Sequence, residues 1–193
     1  MIGTSFYSAK AETSTDEKIR VRHFIHNNWA DYSFDDFPNY YDLTFVLSGS
    51  LFYLVDGKMT EITPGNAIFY TPGSHRVCMR KTQLTTEYIS INFFAEDAPC
   101  FSQKITNCLS PEIRRLLNLV EAVSENRSDY RPHKLSLFIE LILISLREMV
   151  ENRALNPHVA AVLDFVRAHL TEKLTLGRIA ESVSLAPTYC GYL

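Results

Sequence analysis

Two hydrophobic periods divide the chain. From Ile19 to Phe93, apolar and polar residues alternate in short runs rich in Tyr, Phe, Val, Ile and Thr, separated by Gly49-Ser50, Asp56-Gly57, Pro64-Gly65-Asn66 and Pro72-Gly73. Short strands spaced evenly between such turns predict an antiparallel sandwich or barrel. In "SLFYLVDGKMTEI" the Asp-Gly pair supplies the positive φ angles of a tight primed turn, which predicts a hairpin. From Ser110 the period becomes helical: Ile113, Leu116, Leu117, Val120 and Val123 share one face, with Ser110 as N-cap and Pro111 and Glu112 in the first turn. A longer helix, from about Pro132 to Asn152, spreads Leu135, Phe138, Leu141, Ile142, Ile144, Leu146, Met149 and Val150 over more than one face, so it needs cover on both sides. Asn156-Pro157 breaks that pattern, because proline disfavours helix in the residue before it. Beyond it, "HVAAVLDFVRAHL" and "TLGRIAESV", the latter capped by Thr175, predict two more helices. A last helix opens at Ala186, Pro187 and Thr188 and reaches Leu193 after about two turns.

Composition narrows the classes. Of 193 residues, 46% are hydrophobic and 21% charged, enough apolar material for a real core. The net charge of -3 offers no global footprint for nucleic acid. Residues 157–193 set Arg167, Lys173 and Arg178 against Asp164, Glu172 and Glu181, so this segment alone is expected to bind DNA weakly. Cys78, Cys100, Cys108 and Cys190 show no CxxC spacing and make no disulfide framework, which predicts a reducing, cytoplasmic setting. Residues 1–18 are polar and read as a loose arm without a signal peptide, and "LSLFIELILISL" is broken by Glu140; no membrane partner is expected.

Two short helices joined by a few residues, with Ala180 small enough for close approach, make a helix-turn-helix pattern. "LTLGRIAESVSLAPTYCGYL" resembles the first helix-turn-helix of the AraC/XylS family of transcriptional regulators. "YYDLTFVLSGSLFYLVDGKMTEITPGNAIFYTPGSH" is similar to that family's N-terminal cupin-type sensor barrel. The resemblance implies an α+β fold: a cupin-like antiparallel β-barrel followed by an α-helical pair and a partial helix-turn-helix. In those terms residues 1–18 are the N-terminal arm, 19–108 the ligand-sensing barrel, 109–155 a helical dimerisation segment and 156–193 a truncated DNA-binding domain. Pro187, Thr188 and Tyr189 match the start of the recognition helix, while Ser184 stands where the family has a turn glycine and Cys190 where it has leucine. The implied function is ligand-responsive regulation by a homodimer. Its partners would be a small-molecule effector such as a sugar and, in the full-length protein only, operator DNA.

The family's effector sits in the barrel against the last strands under the arm, which carries over to Tyr88 and Ser90, with Arg22 and Trp29 from the first strand and its loop, and His75 completes the expected ligand-binding set. Alternation in "EYISINF" separates Tyr88, Ser90 and Asn92 from Ile89, Ile91 and Phe93; in "IRVRHFIH" it separates Ile19, Val21, His23 and Ile25 from Arg20, Arg22, Phe24 and His26. Alternation alone leaves open which face points inward. The alternative function is a metal-dependent cupin enzyme, such as a small-molecule isomerase or dioxygenase. His75 in "PGSH" occupies the place of one cupin metal ligand, but "NYYDLTFVLSG" has no His-x-His pair, so a hydrogen-bonded rim or core histidine is expected there, with no metal, no cofactor and no catalytic set. For dimerisation, Leu135, Phe138, Ile142, Leu146 and Met149 run as a stripe at spacings of three and four.

Overall fold

A computed structural model describes residues 5–8, 18–27, 33–79, 85–155 and 157–191. The chain divides into two compact units, Met1–Leu146 and Arg147–Leu193. The first contains β1 (Ser5–Ser8), β2 (Ile19–Asn27), β3 (Phe34–Asp36), β4 (Tyr41–Ser48), β5 (Leu51–Val55), β6 (Lys58–Ile62), β7 (Ala67–Tyr70), β8 (Arg76–Met79), β9 (Glu87–Ala95) and β10 (Lys104–Ile105). Helices α1 (Pro111–Glu125) and α2 (Arg131–Leu155) follow, then α3 (Pro157–Ala168), α4 (Leu176–Ser182) and α5 (Pro187–Cys190). The strands form a six-stranded sheet, β1-β2-β9-β4-β7-β10, and a four-stranded sheet, β3-β8-β5-β6, with antiparallel neighbours throughout. Two such sheets with the helices make an α+β cupin fold. The β5–β6 hairpin turns through Asp56 (φ 49°) and Gly57 (φ 76°), the double positive φ that Asp-Gly favours.

Packing decides which face points inward. Val46 and Tyr88 of the larger sheet cluster with Leu51, Tyr53, Ile62 and Cys78 of the smaller one, so their faces meet between the sheets. Along β9, Tyr88, Ser90 and Asn92 therefore point inward, while Ile89, Ile91 and Phe93 line the outer face, which is equally buried. Strand β2 departs from simple alternation. The register slips between Val21 and His23, so Val21 pairs with Phe93 on the outer face while His23 pairs with Asn92 on the inner one. Arg22 absorbs the bulge, and Phe24 and His26 fall on the outer face with Val21 rather than opposite it. Residues 5–8, inside the segment read as an arm, form an edge strand on β2.

Helix α1 lies against β1 and β2 and is capped by Ser110, whose hydroxyl accepts from the Ile113 amide at 3.2 Å. On α2 the apolar residues split differently from the expected stripe. Leu135, Ile142 and Leu146 are sealed in the core of their own chain with Ile139 and Leu143, and Phe138 and Met149 are half-buried. The large sheet's outer face is itself apolar, and the most continuous stripe of α2 turns to the interior. The large apolar residues left outside are Leu137, Leu141 and Ile144, each nearly half exposed, and Val150 at 40%.

In the second unit α4 is capped by Thr175, which accepts from the Arg178 amide at 3.3 Å. Ala180 is fully buried, and its carbonyl accepts from the Leu185 amide at 2.8 Å, closing the turn between α4 and α5. Ser184 sits in that turn at φ 55°, a left-handed conformation that costs a non-glycine residue about 1–2 kcal/mol. This is the physical reason a glycine suits the position. Pro187, Thr188 and Tyr189 are exposed on α5. No helix among the described residues is long and apolar enough to cross a membrane.

Candidate functional site

The inward face of the large sheet is unusually polar. Asp42 in β4 is fully buried, as are Thr44 and Ser90 to within about a percent, and Asn92 lies beside them. Aspartate is depleted from strands because a buried carboxylate needs partners. Here one oxygen accepts from Thr44 Oγ1 at 2.8 Å and Ser90 Oγ at 3.1 Å, and the other from Arg76 Nη1. Arg76 belongs to β8, so this ion pair joins the two sheets across the barrel interior.

The Arg76 guanidinium is engaged on several sides. It donates to Asp36 through Nε at 2.9 Å and Nη2 at 2.7 Å, a bidentate grip, and Nη2 also reaches the Tyr40 hydroxyl at 3.3 Å. Its plane lies over Phe34, 4.2 Å from the ring centroid. Asp36 and Arg76 face each other in the β3–β8 ladder, which sets this grip by strand register. Burial alone would lower the Arg76 pKa, but the bonds to Asp36 and the charge of Asp42 outweigh it and drive the pKa up.

From Asp42 the polar chain continues along the large sheet. Asn92 Nδ2 approaches Ser90 Oγ at 3.5 Å, and Asn92 in turn bonds His23. Burial, with help from the Arg22 charge, holds the His23 pKa below its ordinary value although the Asn92 bond opposes this, so His23 is neutral near pH 7. Farther in, Tyr88 receives a bond from Asn27 Nδ2 at 3.5 Å, and burial pushes its hydroxyl pKa up to about 12. Burial likewise pushes the Cys78 thiol up to about 12, so it is no nucleophile at neutral pH. The arrangement supplies hydrogen-bond acceptors and donors of fixed orientation, with no activated nucleophile among these groups.

The expected ligand residues are partly brought together. Tyr88 and Ser90 are interior, each about 1% exposed, so neither belongs to a solvated outer face. Arg22 reaches the network's edge, its guanidinium 4.5 Å from the Tyr40 ring centroid. His75 stands apart on the rim: it bonds Asp35 at 2.7 Å and stacks on the exposed Phe37 with centroids 4.6 Å apart. Trp29 lies outside the described residues. Among the described residues no group of three or more His, Cys, Asp or Glu side chains could hold a metal ion. Sequence reading set Asn92 on one face with Tyr88 and Ser90 but missed Asp42, Arg76 and Asp36, though an aspartate inside the apolar run "YYDLTFVLS" was a visible signal.

No family model and no curated protein matches the chain. Among solved structures it is similar to the protein YhaK from Escherichia coli, at 13% identity and TM-score 0.42, covering 53% of this chain and 49% of that one. It is also similar to the cupin_2 domain of an XRE family transcriptional regulator from Enterobacter cloacae, at 12% identity and TM-score 0.33, covering 46% of this chain and 95% of that domain. A third is the Clostridium difficile EutQ protein, at 20% identity and TM-score 0.32, covering 48% and 65%. The chain thus spans about half the length of YhaK. The cupin fold itself rests on the strand order and register.

Proposed function

We propose that this chain is the sensor and dimerisation part of a ligand-responsive transcriptional regulator of the AraC type, and that its barrel binds a small polar metabolite such as a sugar rather than catalysing a reaction. The observation that carries this reading is the inter-sheet network of Asp42, Arg76, Ser90 and Asn92. For stability alone, a well-packed apolar core of equal volume does as well as a buried ion pair, or better. Oriented carboxylate, amide and hydroxyl groups inside a barrel suit instead a ligand that presents hydroxyls. The same chain carries α4, a four-residue turn and α5, with Pro187, Thr188 and Tyr189 exposed, as the start of an operator-contacting helix requires. In the second unit Arg178 is engaged by Glu172 at 2.5 Å, so this segment adds little free positive charge for phosphate contacts.

The mechanism in this reading is a population shift: effector binding inside the barrel favours one arrangement of the dimer and so changes how its DNA-binding helices are presented. A thermal-shift screen of sugars, polyols and small hydroxy acids tests it. A binding metabolite should raise the melting temperature of the native protein, and Ser90→Ala and Tyr88→Phe should weaken that rise while keeping the fold. A rise of full size in both variants would place binding elsewhere and overturn the proposal.

A further inference from the structure

Opposite the network, on the outer face of the large sheet, one histidine is held by two carboxylates from different elements. His26 of β2 places Nδ1 at 2.8 Å from Glu121 of α1 and Nε2 at 3.0 Å from Glu87 of β9. All three side chains are mostly buried, at 13%, 26% and 24% exposure. A neutral imidazole carries one N–H and one lone pair, so it can satisfy only one of two carboxylates. With a carboxylate at each nitrogen, only the imidazolium, a donor on both sides, completes the arrangement.

We propose that His26 is a proton-operated latch between barrel and helix: as imidazolium it ties α1 to β2 and β9 together, and on losing a proton it releases one carboxylate and loosens the C-terminal half of α1. The charged groups acting on it are Glu121 from α1 and Glu87 from β9. The edge strand β1 brings Ser5, which does not titrate, opposite His26 in the ladder, and Glu125 lies one turn farther along α1.

The direction of titration agrees with the geometry. Burial alone would lower the His26 pKa, but the bonds and charges of Glu121 and Glu87 outweigh it, and the net direction is upward from 6.5. A histidine whose folded pKa is raised contributes stability in full below its unfolded value, and that contribution is lost as pH climbs through the raised folded value. The latch is therefore closed at mildly acid pH and opens on the alkaline side. Because Asn27, the next residue, bonds Tyr88 on the inner face, the latch lies one rung of the sheet from the barrel interior. It acts whether or not the barrel holds a ligand.

Hydrogen exchange of the α1 amides, corrected for intrinsic rates and compared at pH 6 and pH 8.5, tests it on the full chain. Protection from Leu117 to Ser124 should fall with rising pH, by about tenfold for each unit by which the latch raises the histidine pKa. His26→Gln, which cannot titrate, and Glu121→Gln, which keeps shape without charge, should each flatten that dependence. Should His26→Gln fail to fold, Glu121→Gln alone carries the comparison. Nitrogen NMR should find His26 protonated on both ring nitrogens at pH 6.5. Protection in the native chain that is equal at both pH values, or a pH dependence that survives in Glu121→Gln, would overturn the latch.

Discussion

Replacing Asp42 with asparagine tests the inter-sheet pair at its centre. The substitution is isosteric, and Asn Oδ1 can still accept from Thr44 and Ser90, which now donate at 2.8 and 3.1 Å. The other side changes sign. An amide NH₂ would face Arg76 Nη1, donor against donor, and the guanidinium would keep only Asp36 and the Tyr40 hydroxyl as polar partners. Arg76 is 6% exposed, so water cannot take the place of the lost carboxylate. Removing one partner of a buried pair costs about 3–5 kcal/mol, and the surviving grip of Asp36 sets the expectation at the lower end, about 3 kcal/mol. For a chain of this size that corresponds to roughly 6–12 °C in melting temperature. The assay is urea and thermal unfolding followed by circular dichroism, with Asp42→Leu/Arg76→Met as the control. The double variant should recover most of the loss, because it removes both charges together. Asp42→Asn within about 0.5 kcal/mol of the native protein would refute the view that this pair holds the sheets in register.

Other consequences are as direct. Tyr88→Ala should lose about 3–5 kcal/mol by opening a cavity under a fully buried ring, whereas Tyr88→Phe should lose no more than about 1–2 kcal/mol; equal losses by denaturant melts would contradict the packing. Ser184→Gly should stabilise the helical unit by about 1 kcal/mol by relieving its left-handed backbone, and a lower melting temperature would count against the turn geometry. Dimerisation should run through the exposed residues Leu137, Leu141 and Ile144 rather than through buried Leu135 or Ile142. Sedimentation at micromolar concentration should show a dimer that Leu141→Glu converts to a folded monomer, and a native monomer would exclude it.

Local chemistry made much of this fold legible. Asp56-Gly57 declared its hairpin, Ser110 and Thr175 their caps, and Asn156-Pro157 the break between helices, because each effect is set within a few residues. Two features needed long-range pairing. The inward face of β9 follows from Tyr88 meeting Cys78 and Tyr53 of the other sheet. The face of β2 changes at Arg22, where a bulge adds one residue that strict alternation does not foresee. On α2 two stripes at similar spacing compete for the interior, and only long-range packing decides between them. The Asp42–Arg76 pair spans 34 residues of sequence, so neither member announces the other. His75, the more conspicuous residue, drew attention to the rim while its neighbour Arg76 enters the interior.

The claim that the barrel interior is a ligand site is tested most directly at Arg76 itself. In a nitrogen–proton NMR titration with the metabolite that shifts melting, the Arg76 Nε–H signal and the Asn92 side-chain amide should move saturably with a single binding constant, and Ser90→Ala should weaken that constant. Saturable binding that leaves both signals in place, with changes confined to surface residues, would contradict the account.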